Sequence, residues 1–293
     1  MRRKKFDLTA AGSHLVFILL SISTVVPLFL LLTISLSDHN VILTTGGYSF
    51  IPAKWSLEGY KYLLENGRII TKSYLVTIFI TVVGTLGATT VTTMAGYVLS
   101  RRTYCFHRFL SGFMFFTMIF SAGLIPTYIV ETRYYGLQDN LLVCILPYLV
   151  NCWNAVLLRT FYQDLPYEVI ESAIVDGAGE MTIFFKIATP MVKSGIVTIA
   201  LMTMLSFWNQ WQPSQIYFTK ADMQTLQLYL FRMIENTQLL LEEAKQMGLT
   251  ADTIPTEVVK FAAAILVMGP TLAVFPFFQR YFVRGLNTGA VKG

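Results

Sequence analysis

Long apolar runs separated by short charged segments set the pattern of this chain. Six stretches carry no Asp, Glu, Lys or Arg: 8–37, 73–100, 109–130, 140–158, 194–219 and 261–279. Each exceeds or approaches the roughly 20 apolar residues that a helix needs to cross a hydrocarbon core. The runs are continuous rather than alternating with a period of two, so they predict helices and not barrel strands. The expected fold is an all-α integral membrane protein with six transmembrane helices. A soluble core would need six buried helices with almost no polar face, which the pattern disfavours.

Composition agrees. The chain is 54% hydrophobic and 13% charged, against about 25% charged residues in an ordinary soluble domain. The first apolar part, 15–34, is longer than the core of a secretory signal, and no small-residue cleavage site follows it. Met1-Arg2-Arg3-Lys4-Lys5 is therefore expected to anchor a first spanning helix.

An even number of spans puts both termini on one side, and lysine and arginine mark the cytoplasmic side. With the N-terminus inside, 13 of the 22 basic residues fall in cytoplasmic segments, including Arg101, Arg102 and Arg108 with no acid among them. The other 9 are spread over longer external segments. The expected layout is a cytoplasmic segment 1–12, a transmembrane domain 13–285 and a cytoplasmic tail 286–293. A cytoplasmic loop is expected at about 160–193 and external loops at about 38–72 and 220–257. The expected location is a plasma membrane, in contact with lipid. Topology accounts for the basic charge, and nothing calls for nucleic acid.

Neither long external loop reads as a linker. The first holds Gly46-Gly47, Pro52 and Trp55, and Leu57, Tyr60, Leu63 and Leu64 recur at helical spacing. The second holds Leu226, Leu228, Leu230 and Phe231, then a helical run over 239–247. Their apolar faces either dock an extracytoplasmic partner or pack on helix ends. Cys105, Cys144 and Cys152 form no metal-ligand spacing and read as packing residues, so neither a metal nor a disulfide framework is expected.

The segment between the fourth and fifth runs is the most informative. It reads Asp164-Leu165-Pro166-Tyr167-Glu168-Val169-Ile170-Glu171-Ser172-Ala173-Ile174-Val175-Asp176-Gly177-Ala178-Gly179. Pro166 suits a first helical turn. Asp164, Glu168 and Glu171 suit the same end through the helix dipole. Asp176-Gly177 suits a helix stop. Val169, Ile170, Ala173 and Ile174 fall on one side, with Glu168, Glu171, Ser172 and Asp176 opposite and Val175 the exception. A second piece, 181–187, carries Phe184 and Phe185 as bulky anchors, and Pro190 is expected to break the chain before the fifth span. The pattern predicts a rigid elbow.

The spacing of Glu171-Ser172-Ala173, Gly177 and Ile187-Ala188-Thr189-Pro190 resembles the EAA loop of binding-protein-dependent ABC importer permeases. Ser172 stands where the family has Ala and Thr189 where it has Leu. Asp176-Gly177-Ala178 also looks like the family. The whole chain is similar to the smaller of the two maltose-type permease subunits of the carbohydrate branch. The run Pro276-Phe277-Phe278-Gln279-Arg280-Tyr281-Phe282-Val283-Arg284-Gly285, with Gly289-Ala290-Val291-Lys292-Gly293, is similar to permeases for complex oligosaccharides.

The resemblance implies a type I importer permease with a coupling helix seated in a cleft of an ATPase. Glu171, Ser172, Ala173, Asp176, Gly177, Ala178 and Pro190 would form the coupling site, with Glu171 pairing with a basic residue of that ATPase. It implies a second permease, two copies of a cytoplasmic ABC ATPase, an extracellular solute-binding protein and an oligosaccharide substrate. The aliphatic face either fills the ATPase cleft or holds the loop against the permease.

No Gly-x4-Gly-Lys-[Ser/Thr] loop occurs, so ATP and Mg are expected on a separate chain. No catalytic constellation lies in the runs, and a transport subunit rather than an enzyme is expected. Their freedom from ionisable groups argues against an ion-driven secondary carrier. An ABC permease for a non-sugar solute is the nearer alternative. Asn151, Trp153 and Asn154, and Trp208, Asn209 and Gln210, are the substrate-pathway candidates, because amides and aromatic rings suit sugars; amides also join helices in membranes. Gly84, Gly87 and Gly96 suit close helix packing.

Overall fold

The structure, a computed structural model, describes residues 8–45, 48–65, 67–246 and 256–290. The basic 1–5 segment, Gly46-Gly47, Met247 and the last residues of the terminal motif lie outside the described residues. So do the side chains of the 278–290 part of that motif.

The chain is helical almost throughout. In order come α1 (Leu8–Ser35), α2 (His39–Thr45), α3 (Glu58–Glu65), α4 (Gly67–Ser100), α5 (His107–Ile119) and α6 (Leu124–Ile129). They are followed by α7 (Cys152–Gln163), α8 (Tyr167–Val175), α9 (Glu180–Thr182), α10 (Thr189–Met191) and α11 (Lys193–Trp208). Then come α12 (Gln212–Tyr217), α13 (Leu226–Gln246) and α14 (Thr256–Ala290). Among the described residues, three helical stretches are long and apolar enough to cross a membrane: Gly12–Ser35, Gly67–Ser100 and Glu257–Phe277. Three bent pairs qualify when each is read as one span: His107–Ile119 with Leu124–Tyr134, Leu141–Tyr148 with Cys152–Gln163, and Glu180–Met191 with Lys193–Tyr217.

The third and fourth apolar runs are thus broken where continuous helices were expected, with bends of 113° and 45°, and the fifth is interrupted between Trp208 and Gln212. The causes are local. Gly123 has a positive φ of 85° that ends α5's approach to α6. Asn151 accepts the Asn154 amide and starts a new helix at α7. A bend of 80° falls just ahead of the fifth run as expected, but at Val192, two residues past Pro190. Pro190 sits inside helical α10, directly after a widened π turn over Ile183–Ala188. That turn shifts the ladder and absorbs the donor that proline lacks.

The described residues form two compact units, one drawn from Met1–Arg68 and Leu230–Gly269, the other from Ile69–Tyr229 and Pro270–Gly293. In the first unit α1 is apolar on every side and exposed over most of its length, as a lipid- or partner-facing helix is. The 38–65 segment is structured. Asp38 caps α2, accepting the amides of Asn40 and Val41, and pairs with Lys54 at 2.7 Å. The lysine bond, ahead of the opposing effect of burial, holds the Asp38 carboxyl below its ordinary value. Helix α3 lies so close to α14 that a Cβ at Gly59 would sit 2.9 Å from Val258.

The second unit holds two apolar cores. One gathers Ile80, Ala88, Val143, Cys144, Ile145, Phe207 and Tyr217. The other gathers Tyr97, Leu158, Tyr162, Ile170, Ala173, Ile183, Phe184 and Ile199. Small residues make the close approaches: a Cβ at Gly84 would meet the Phe207 ring at 2.7 Å, and one at Gly96 would meet Leu158 at 3.1 Å. Gly84, Gly87 and Gly96 are packing residues, as their sequence suggests.

Candidate functional site

Helix α8 starts after Pro166, whose extended ψ of 125° turns the chain into it. The stop is a two-bond lock. The Gly177 amide reaches the Ile174 carbonyl at 3.0 Å, and the Ala178 amide reaches the Ala173 carbonyl at 2.9 Å. This is the Schellman pattern, and it needs the left-handed φ of 80° that Gly177 adopts.

The elbow has two faces. Ile170 and Ala173 are buried at 7% exposure, in the core that holds Tyr97, Leu158 and Phe184. The aliphatic face therefore holds the loop against this chain. Outward lie Glu168, Glu171, Ser172 and Asp176, together with Tyr167, Ile174, Val175 and Phe185. The two phenylalanines split, with Phe184 inside and Phe185 outside. Ile174, placed by periodicity on the inner arc, is 47% exposed. The outer face is thus acidic and apolar at once.

One carboxylate ties the elbow to the rest of the unit. Glu180, the first residue of α9, accepts the Tyr97 hydroxyl at 2.6 Å and the Arg101 guanidinium at 2.7 Å. Burial alone would raise the Glu180 carboxyl, but these two hydrogen bonds and the arginine charge hold it below its ordinary value. The Tyr97 ring in turn packs edge-on to Tyr162 at 5.5 Å and tilted against Phe184 at 5.0 Å. Sequence reasoning missed this trio, because Arg101 read only as a topology charge and Glu180 as one acid among several.

A second group of candidates collects where two helices break. A cavity of about 110 Å³ is lined by Thr92, Tyr148, Asn151, Asn154, Thr203, Ser206 and Gln210, among others. A neighbouring one of about 220 Å³ is lined by Tyr148, Ser206, Asn209, Gln210, Trp211, Gln212 and Pro213. Non-helical backbone at membrane depth is tolerated only when buried in protein or beside a wet cavity, and both breaks meet that condition. Asn154 donates to Thr203 at 3.3 Å, which joins α7 to α11. The Gln210 Oε1 is buried without a partner among the described residues.

The structure brings Asn151, Asn154, Asn209 and Gln210 to these cavities. It leaves out Trp153, which is 62% exposed, and Trp208, which is buried in packing. Asn151 caps α7 and does not share a helical face with Asn154. Glu131 is a further surprise. It is 6% exposed, in the π turn that completes the first bent pair, the one over the third apolar run. The spans are therefore not all free of ionisable groups, and their composition alone does not exclude ion coupling.

Broken apolar helices around neutral polar cavities, with a rigid amphipathic elbow, define a membrane transport subunit. No family model matches the chain. It is 31% identical over 293 residues, 100% of either chain, to the polygalacturonan/rhamnogalacturonan transport system permease protein YtcP of Bacillus subtilis (strain 168). It is 34% identical over 247 residues to Protein LplC of the same strain, spanning 84% of this chain and 82% of that one. It is 24% identical over 296 residues to that strain's arabinooligosaccharides transport system permease protein AraQ, spanning 99% and 98%. Among solved structures, a chain of a bacterial ABC transporter involved in the import of the acidic polysaccharide alginate superposes with a TM-score of 0.82. The match covers 96% of this chain and 100% of that one at 23% identity, which establishes a shared fold. The chain belongs to the permease subunits of sugar and oligosaccharide ABC importers.

Proposed function

We propose that this chain works as one of two permeases in an ABC importer that carries oligosaccharides or polysaccharide fragments into a bacterial cell. A separate ATPase, present twice, holds ATP and Mg and seats the outer face of α8. A second permease completes the pathway, and an extracellular binding protein delivers the sugar. Both termini and the 160–193 loop are cytoplasmic. The chain does no covalent chemistry.

The observation that carries this reading is the division of the elbow. Its inner face, Ile170 and Ala173, is sunk in the permease core, while Glu171, Ser172 and Val175 are left exposed on a helix locked at its C-terminal end. An exposed surface that mixes carboxylates with apolar side chains suits a partner's cleft. When ATP closes the ATPases, the elbow moves inward and carries the packed core with it. The polar cavities at the two helix breaks then change access from one side of the membrane to the other. Their amides and hydroxyls suit sugar hydroxyl groups, and the relatives named for polygalacturonan and arabinooligosaccharides support a carbohydrate cargo.

Affinity purification of the full chain with the subunits encoded beside it tests the reading. An ABC ATPase is expected to co-purify with the wild-type chain and to be lost or weakened with Glu171→Ala or Gly177→Asp. Recovery of the chain without any ATPase, under conditions that keep the two permeases together, would contradict it.

A further inference from the structure

The Glu180 carboxylate bridges two residues one helical turn apart, Tyr97 and Arg101, at the end of α4. Helix α4 is 34 residues long, or about 50 Å at the α-helical rise. Farther along the same helix, Ala88 and Thr92 line the polar cavity at the helix breaks. Gly84 meets Phe207 on α11. One continuous helix therefore runs from the elbow to the cavity, with Glu180 at its grip.

The grip is built rather than incidental. Arg101 is 14% exposed at its side chain, against 60% for Glu180, and lies 5.9 Å over the Tyr97 ring, which places its charge. Tyr97 is 7% exposed and packed in the same core as Ile170, Ala173 and Phe184. A side chain held by packing, a ring and a carboxylate cannot follow the elbow partway.

We propose that Glu180 is a positioning residue: its bonds to Tyr97 and Arg101 make the elbow and α4 move as one body, so that displacement of α8 reaches the transport cavity. This rests on the coupling role given to α8 above. Close packing of the shared core passes displacement on, but without direction of its own. Two charge-assisted bonds fix both distance and register.

Spin labels test it in the full complex reconstituted in lipid nanodiscs. Cys105, Cys144 and Cys152 are replaced by alanine, and labels are placed at Lys186 in the second piece of the elbow and Leu86 on α4, both exposed. In this background the distance between labels is expected to stay the same with and without ATP. Glu180→Gln keeps the side-chain shape and removes the charge, and it is expected to make the distance shift or broaden on ATP binding. The charge swap Arg101→Glu with Glu180→Arg is expected to restore the invariant distance, whereas Arg101→Glu alone is not.

A distance that changes with ATP in the chain retaining Glu180 would overturn the proposal. So would a Glu180→Gln variant as rigid as that chain. Co-purification of the ATPase is read on the same samples. Its absence throughout would bring down the coupling reading, and the inference with it. Its presence with an unaffected Glu180→Gln variant would bring down the grip alone.

Discussion

The Ala173 carbonyl accepts the Ala178 amide at 2.9 Å, closing the end of α8 across Gly177. This bond exists only while Gly177 keeps a positive φ. Nothing lies within 4 Å of a Cβ built there, so the cost of a side chain is conformational and not steric. Gly177→Ala is expected to loosen the lock by about 1–2 kcal/mol, and Gly177→Asn by less, because asparagine tolerates this region. Hydrogen exchange of the α8 amides should accelerate in that order, with Gly177→Val fastest of the three.

The two faces of the elbow should separate in mutagenesis. Ile170→Ala opens a cavity in a packed core, and a loss of about 2–4 kcal/mol is expected. Val175 is 80% exposed. Val175→Ala should leave stability within about 0.5 kcal/mol while weakening ATPase binding. Thermal unfolding in detergent and ATPase co-purification, run on both variants, would show the dissociation.

Close helix approach predicts intolerance at Gly84 and Gly195. A Cβ at either would sit 2.7 Å from a ring carbon, of Phe207 and Phe161 respectively. Gly195→Ala is expected to cost about 1–3 kcal/mol by overpacking. Combining it with Phe161→Leu should recover part of the loss. Unfolding temperature across the single and double variants checks this, and strict additivity would argue against contact.

Asp139 supplies a pH test. Both its oxygens are bonded by Thr219, the amide at 2.7 Å and the hydroxyl at 2.6 Å. The Thr219 hydroxyl first, then the amide, holds the Asp139 carboxyl below its ordinary 3.8. A depressed folded-state pKa contributes stability that is present above the unfolded value and lost as pH falls through the folded one. The wild type should therefore outlast Asp139→Asn in thermal unfolding at neutral pH, and the gap should narrow below about pH 4. A gap independent of pH would place the effect elsewhere.

The existence of membrane-crossing helices was legible because a long apolar run is a local property. Where they break was not. Gly123 and Pro147 are visible in the sequence, but hydropathy runs on across them, and the break at Asn151 comes from one side chain capping the next helix. Pro190 misled for a similar reason, since the π turn upstream lets the helix accept it. The elbow was readable in outline from its caps and periodicity. Its tether was not, because Arg101 and Glu180 are 79 residues apart and nothing local announces their pairing. Asn154 and Gln210 were singled out for their chemistry, yet Tyr148, Thr203 and Ser206 join them only through folding. Trp153 and Trp208 lie outside both cavities, because aromatic type does not tell which way a ring faces.

The pathway cavities make a prediction of their own. Gln210→Ala removes a buried acceptor that has no partner within the described residues. It should reduce sugar uptake with little change in unfolding temperature. Asn154→Ala breaks the bond to Thr203 and should lower both. Uptake unaffected by either variant would assign these amides to helix packing alone.

The most direct measurement is uptake into proteoliposomes holding the assembled complex, with the binding protein outside, ATP inside and all ion gradients collapsed. Labelled oligogalacturonate and arabino-oligosaccharide serve as cargo. Uptake of at least one, dependent on ATP and lost with Glu171→Ala, is the result expected of an ATP-coupled permease. Uptake that persists without the ATPase and follows an ion gradient would contradict the account.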